Sequence, residues 1–283
     1  MTESIRQILI SAPGLLSDAS ASPKLDIELL LSEVLKVSRE YLHTWPDQRL
    51  TDAQLLKFQH LLQQRQHGKP IAYILGKQAF WSLTLKVNAS TLIPRPETEL
   101  LVDMILQKFA SIKNLSVLDL GTGSGAIALA LATEQPTWQI TAVDYSFDAL
   151  GVAQENANYY GITSVAFIHS NWYSNLSNRK YDIIVANPPY IAENDPALHQ
   201  HVLQYEPKAA LISKQDGFAD ILEIIDKAKS FLKKNGFIVL EHGYQQSQEV
   251  KNILRKYGYT NIQSHTDLSG IMRAASGLYQ SEG

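Results

Sequence analysis

From Ser116 onward the sequence alternates short apolar runs with helix-patterned stretches, a rhythm that few folds can accommodate. SVLDL reads as a strand and AIALALATE as a helix; WQITAVD is a strand and SFDALGVAQENANYYG a helix. VAFIH and YDIIVAN are strands, DGFADILEIIDKAKSFLKKNG a helix, FIVLEH a strand and QQSQEVKNILRKYG a helix. Repeated strand–helix units bury their apolar runs by forming a parallel sheet with helices on both faces. The expected fold class is therefore α/β, with a doubly wound, mostly parallel sheet. The tail, NIQSHTDLSGIMRAASGLY, has room for one or two further strands.

The residues before this region follow different periods. Up to about residue 75, Leu29, Leu30, Val34 and Leu35, and then Leu55, Phe58, Leu61 and Leu62, recur at helical steps. Ser22-Pro23 and Thr51-Asp52 read as helix starts, and Gly68-Lys69-Pro70 as a stop. This predicts a small helical bundle over residues 1–75. AFWSLTLKVN switches to a period of two at Leu83, Leu85 and Val87, which predicts a β-hairpin within a linker over 76–95. In TLIPRPETELLVDMIL, Pro94 and Pro96 bracket Arg95, and Glu97 to Phe109 reads as a helix that opens the third region, 96–283. Arg95 fits an anion contact and a solvated linker arginine equally well.

Between the first strand of the α/β region and its helix stands LGTGSGA. Gly121, Gly123 and Gly125 allow a tight turn and a close backbone approach to a ligand. The helix N-terminus beyond them offers free N–H groups and partial positive charge. The dinucleotide pattern would place its third glycine at Ala126, and the Lys-Ser/Thr of a phosphate-binding P-loop is missing. GxGxG after an acid, Asp119, resembles instead the first motif of class I S-adenosylmethionine-dependent methyltransferases. Asp144 ends the second strand, where an acid can accept from ribose hydroxyls; it could also cap the helix that starts near Ser146. After the third strand come Asn171 and Trp172. The amide can accept from an adenine amine and the indole can pack on a ring, while core filling explains the indole nearly as well.

The fourth strand ends in Asn187-Pro188-Pro189-Tyr190. Ligands of open α/β sheets bind beyond the carboxyl ends of the strands, where the strand order reverses. The fourth strand is expected beside the first, so this turn should face the glycine loop. A plain Pro-Pro stop accounts for the rings but not for the amide and phenol that flank them. Both prolines fix φ, and the residue before each is held extended. The Asn187 side-chain oxygen and the Pro188 carbonyl would then be two fixed acceptors for the two hydrogens of a planar NH2. They would aim its delocalised nitrogen and stabilise charge developing on it. Tyr190 would wall the flat group. The turn alone fits adenine N6, guanine N2 and glutamine amides alike.

Composition narrows the choice. The chain has 283 residues, no cysteine and a net charge of −3, so disulfides and thiolate chemistry are excluded. Residues 1–92 carry ten Lys/Arg against eight Asp/Glu, a small excess for a nucleic-acid binder. No apolar run reaches the roughly 18 residues of a membrane span, and the N-terminus lacks the apolar core of a signal peptide. A cytoplasmic enzyme is expected, with no membrane and no stable nucleic-acid partner. No metal is expected: His199 and His201 form a pair without acids at ligand spacing. Glu241-His242, after FIVLEH, reads as helix capping or a hydrogen bond near a ligand. Lys233-Lys234 reads as a favourable charge pair at a helix end.

Across most of its length the sequence resembles the release factor glutamine N5-methyltransferase family (PrmC/HemK). The resemblance is carried by GKPIAYILGKQAFWSLTLKVNASTLIPRPETELLVD, VLDLGTGSGAIALALA, VDYSFDAL, SNWY, ANPPYI and LEHGYQQ. It implies a class I methyltransferase domain, Rossmann-like, behind a helical domain that docks the substrate. It also implies methylation of the glutamine in the Gly-Gly-Gln tripeptide of class I peptide chain release factors, a modification that modulates translation termination. S-adenosyl-L-methionine would be held by Gly121, Thr122, Gly123, Ser124, Gly125, Asp144, Trp172 and Asn187. The substrate glutamine would be held by Asn187, Pro188, Pro189 and Tyr190, with Leu92 and Ile93 lining the same pocket; Asn187 and Pro188 would be the catalytic pair. A DNA or RNA exocyclic-amine methyltransferase is the alternative. Met272, where the family pattern expects an acid, and the segment 202–211 depart from that pattern.

Overall fold

A computed structural model describes residues 3–195 and 204–280. The chain falls into two compact units, Met1–Lys77 and Gln78–Gly283.

The first unit contains the helices α1 (Ile5–Ser11), α2 (Pro23–Leu35), α3 (Arg39–Thr44), α4 (Asp52–Gln66) and α5 (Ile71–Leu75). Their starts follow from local chemistry. Ser4 with Gln7, and Thr51 with Gln54, form capping boxes that satisfy otherwise free N–H groups. Pro23 opens α2, where a missing N–H costs nothing. Ile5, Ile8, Ile27, Leu30, Leu31, Leu42, Phe58 and Leu62 close into one apolar core. Inside it, Asp26 on α2 accepts from Arg65 on α4 at 2.7 Å, an ion pair withdrawn from solvent.

A hairpin follows, of β1 (Lys77–Phe80) and β2 (Leu83–Lys86), which from Gln78 onward belongs to the second unit. Phe80, Leu83 and Leu85 pack in the unit's own core with Leu101, Val102 and Ile105 of α6 (Glu99–Phe109). There follow β3 (Ser116–Leu120), α7 (Ala126–Glu134), β4 (Gln139–Asp144), α8 (Phe147–Tyr159), β5 (Val165–His169) and β6 (Tyr181–Ala186). Then come α9 (Ala219–Ala228), β7 (Leu232–Glu241), α10 (Ser247–Lys256), β8 (Tyr259–Thr266) and β9 (Met272–Tyr279). β3 to β9 form one seven-stranded sheet in the order β5-β4-β3-β6-β7-β9-β8. The first five strands of this order run parallel, and β9 and β8 are antiparallel additions at one edge. Alternate residues face opposite layers, as pleating requires. Val117, Ile183, Val185 and Val239 point to the α6–α7 side. Leu118, Ile184, Ile238 and Leu240 point to the α9–α10 side.

One expected helix is shorter than its sequence pattern. The stretch from Asp216 to Gly236 is helical only over Ala219–Ala228, and Gln215 and Asp216 have positive φ. The chain leaves the helix because Phe231 stacks on Tyr173 and its carbonyl accepts from Tyr181 N at 2.7 Å, which draws Leu232 into the sheet. Lys233 and Lys234 consequently lie in β7 rather than at a helix end, and Lys233 pairs with Asp182 at 2.8 Å. No helix among the described residues is long and apolar enough to cross a membrane.

Candidate active site

Sheet register assembles the site. Leu120 pairs with Val143 on one side and Ala186 on the other, and Ala186 pairs with Leu240. The next residue on each strand is therefore Gly121, Asp144, Asn187 and Glu241, side by side at one end of the sheet. These residues are up to 120 positions apart in the chain, and hydrogen-bond pairing alone brings them level.

A cavity of about 380 Å³ opens at this end, a volume suited to a nucleoside-sized ligand. Gly121, Gly123, Asp144, Trp172, Asn187, Pro189 and Leu92 line it. Thr122, Ser124 and Gly125, from the same loop, are buried and are not among the lining residues; Gly125 stands at the N-cap of α7. Pro188, Tyr190 and Ile93 also lie beside the cavity lining rather than in it.

The glycine loop is held open by its neighbours. Gly121 has φ +74, and a Cβ there would meet the Trp172 ring at 3.2 Å. Trp172 itself has φ 48, and its indole N–H donates to Asp220 at 3.2 Å. The ring also packs on the apolar layer beneath, so it both walls the cavity and fills the core. Asp144 Oδ2 accepts from Gly123 N at 2.8 Å and its Oδ1 from Ser146 N at 2.9 Å. The side-chain cap of α8 is Ser146, which accepts from Ala149 N, so Asp144 is not the cap. Each Asp144 oxygen retains a lone pair for a ligand hydroxyl. Burial raises its carboxyl above the usual range. Beneath the loop, Asp119 is fully enclosed and accepts from Thr122 Oγ1 at 2.6 Å; burial pushes its carboxyl up to about 7.

The Asn-Pro-Pro-Tyr turn is braced from several sides. Asn187 Nδ2 donates to Thr98 Oγ1 at 2.9 Å, and Thr98 Oγ1 donates to Glu241 Oε2 at 2.7 Å. The Tyr190 hydroxyl donates to Glu241 Oε1 at 3.1 Å, and burial holds that phenol above its ordinary range. Burial pushes the Glu241 carboxyl up to about 7. The Tyr190 carbonyl accepts from Gln246 Nε2 at 3.0 Å, and Gln246 Oε1 accepts from Gly243 N at 2.8 Å. Ile191 pairs with the 211–213 segment through backbone hydrogen bonds.

Three polar residues here are absent from the sequence-based site: Thr98, Glu206 and Asp220. Glu206 is buried and accepts from Ile93 N at 3.1 Å and from the Arg95 guanidinium. Arg95 thus makes an anion contact, and its anion is this carboxylate. Glu241 caps no helix; it receives two hydroxyls. The PRPETE segment signals Thr98 and Arg95 by its prolines, but no local spacing reveals their partners, which lie over a hundred residues away. His199 and His201, and the start of the 202–211 segment, lie outside the described residues. Among the described residues no group of three or more His, Cys, Asp or Glu is placed to hold a metal ion.

Known proteins resemble this chain along nearly its full length. Residues 7–76 match the PrmC N-terminal domain family and residues 96–217 the Methyltransferase small domain family. A Vibrio cholerae protein named release factor glutamine methyltransferase is 48% identical over 93% of this chain and 92% of its own. Proteins of the same name from Salmonella typhimurium and Escherichia coli are 44% and 41% identical, each over 92% of this chain and 94% of its own. Among solved structures, a Pyrococcus furiosus methyltransferase is similar with a TM-score of 0.54 at 15% identity, covering 71% of this chain and 91% of that one. A Thermus thermophilus 16S rRNA N2 G1207 methyltransferase is similar with a TM-score of 0.53 at 16% identity, covering 72% of this chain and 50% of that one. At these identities the structural likeness speaks for the fold alone.

Proposed function

The chain belongs to the release factor glutamine methyltransferase family, and from that premise we propose how its own residues carry out transfer of a methyl group to the side-chain amide nitrogen of a release factor glutamine. The proposed substrate is the glutamine of the Gly-Gly-Gln motif in class I release factors, and the proposed cofactor is S-adenosyl-L-methionine. The residues present suit that cofactor. A cavity of nucleoside size is flanked by a glycine at φ +74 whose Cβ would strike an indole wall, and an acid faces it with lone pairs to spare. When bound, the cofactor supplies a methyl group made electrophilic by a positively charged sulfur. Gly121, Gly123, Asp144 and Trp172 would hold it, with Thr122, Ser124 and Gly125 shaping the loop from behind.

The observation that carries the reading is the state of the Asn187 amide. One of its two N–H groups donates to Thr98, which turns its oxygen the other way, free to accept. A glutamine NH2 is a poor nucleophile because its lone pair is delocalised. Asn187 Oδ1 and the Pro188 carbonyl would accept its two hydrogens, orient the nitrogen and stabilise the positive charge that develops there. Pro189 and Leu92 would border the glutamine, with Tyr190 behind. None of these residues need remove a proton during transfer, since the charged product can lose one to water. The helical first unit is the proposed docking element for the release factor, and the cytoplasm, where translation ends, the proposed location. A nucleic-acid amine substrate is not favoured, because the relatives at 41–48% identity bear the release-factor name.

Incubation with methyl-labelled cofactor and a release factor tests this. Label is expected on the native factor and not on one whose Gly-Gly-Gln glutamine is changed to alanine. Equal labelling of both would overturn the assignment.

A further inference from the structure

We propose that Thr98 and Glu241 are positioning residues that dictate which end of the Asn187 amide meets the substrate. The inference rests on the reading that the Asn187 oxygen accepts from the substrate amide.

An asparagine amide can sit in either of two orientations related by a half-turn, nearly equal in shape and opposite in polarity. Only one presents oxygen to an NH2 group; the other presents hydrogens and repels it. The choice is made by a chain of protons that starts at Glu241. This carboxylate ends β7 in the interior, at 2% exposure, and above about pH 7, where it ionises, it can only accept. Its Oε2 takes the single hydroxyl proton of Thr98 at 2.7 Å. Thr98 Oγ1 then has only lone pairs to offer Asn187, and at 2.9 Å those lone pairs demand a donor. The Asn187 nitrogen must turn to Thr98, and its oxygen must turn away. The second Glu241 oxygen accepts from Tyr190 at 3.1 Å, so one carboxylate fixes both the first and the last residue of the Asn-Pro-Pro-Tyr turn.

Thr98 ends a short 3-10 turn, Pro96–Thr98, that leads straight into α6, with a helical backbone at φ −68 and ψ −21. Its side chain caps no helix N–H, and its hydroxyl reaches instead a partner 143 residues away. Mutual satisfaction of buried polar groups would account for the contacts. It would not require a hydroxyl that passes polarity from an acid to an amide, and this difference can be measured.

The measurement compares Thr98→Val and Thr98→Ser with the native enzyme above about pH 7, where Glu241 is ionised, using labelled S-adenosyl-L-methionine and a release factor. Thr98→Val keeps the shape and removes the relay. It is expected to lower kcat about 10- to 100-fold, the scale of a misoriented reacting group, with cofactor affinity within about twofold. Thr98→Ser keeps the hydroxyl and should recover most of that loss. Native kcat in Thr98→Val, or equal impairment in both variants, overturns the proposal. Side-chain amide NMR reads the relay without substrate: the Asn187 NH2 resonances should move in Thr98→Val and stay in Thr98→Ser, and resonances unmoved in both would also overturn it. Should Thr98→Val not fold, Thr98→Ala serves in both measurements. If the native enzyme leaves the release factor unlabelled while the amide resonances respond as expected, the substrate reading falls and the relay stands.

Discussion

Asn187 is asked to do two things with one small side chain. Its nitrogen anchors to Thr98 and its oxygen is proposed to grip the incoming amide. Replacing it with alanine removes both, yet leaves the glycine loop and Asp144 untouched, since these are tied to each other through Gly123 N. Asn187→Ala should therefore cut transfer by about 100-fold or more while S-adenosyl-L-methionine binding, read by calorimetry, weakens only severalfold. Unchanged turnover would remove Asn187 from the chemistry. At this scale the sequence was informative where a residue's neighbours along the chain explain it. Gly121, Asp144 and Asn187 each end or follow a strand, and their types speak for themselves. Thr98 and Glu241 did not announce each other, because a hydrogen bond across 143 residues leaves no spacing to read. Trp172 is ambiguous in sequence between ligand and core; its ring lines the cavity and also packs on the core.

The elements around the Asn-Pro-Pro-Tyr turn were legible in kind and less so in extent. Strand and helix periods gave β3 to β6 nearly to the residue. The helix expected from Asp216 to Gly236 lost both ends. At its C-terminal side the edge of β6 captured Leu232 for the sheet, a long-range competition that local helical periodicity cannot register. At its N-terminal side Gly217 takes φ +89 and lies against the Tyr190 carbonyl, where an added Cβ would come within 2.3 Å of the oxygen. That close approach lets the 211–217 segment seat against the turn. Gly217→Ala should destabilise the protein by about 2 kcal/mol or more, since a left-handed alanine alone costs about 1 kcal/mol and the clash is with backbone. Gly161→Ala is the matched comparison, with φ +66 and open space at its Cβ position, and should cost about 1 kcal/mol. Equal melting shifts for the two variants would show that the contact with Tyr190 carries no weight.

The whole sheet edge concentrates buried acid. Asp119 and Glu241 are fully enclosed, and burial pushes both carboxyls up to about 7. In the unfolded chain these groups titrate near about 4, so between about pH 4 and 7 the folded state holds protons that the unfolded state has released. Stability from this source is full below about pH 4 and declines as pH rises to about 7. Glu241→Gln removes one such group. Its stability relative to the native protein should improve steadily as pH is raised from about 4.5 to 7.5, as read by denaturant midpoints; a difference independent of pH would contradict the assignment. The same end of the sheet gathers Gly121, Asp144, Asn187 and Glu241 by register alone, which is why an alternating βα pattern foretold where the cavity would open without foretelling its polar bracing.

The Asn187–Pro188 turn is proposed to hold the substrate nitrogen by two acceptors, and a crystal structure of the enzyme with the demethylated cofactor product and a release factor would show whether it does. The glutamine nitrogen is expected within about 3.2 Å of both Asn187 Oδ1 and the Pro188 carbonyl oxygen, facing the cofactor sulfur. A glutamine nitrogen bonded to neither oxygen, or an Asn187 side chain presenting its nitrogen to the substrate, would contradict it.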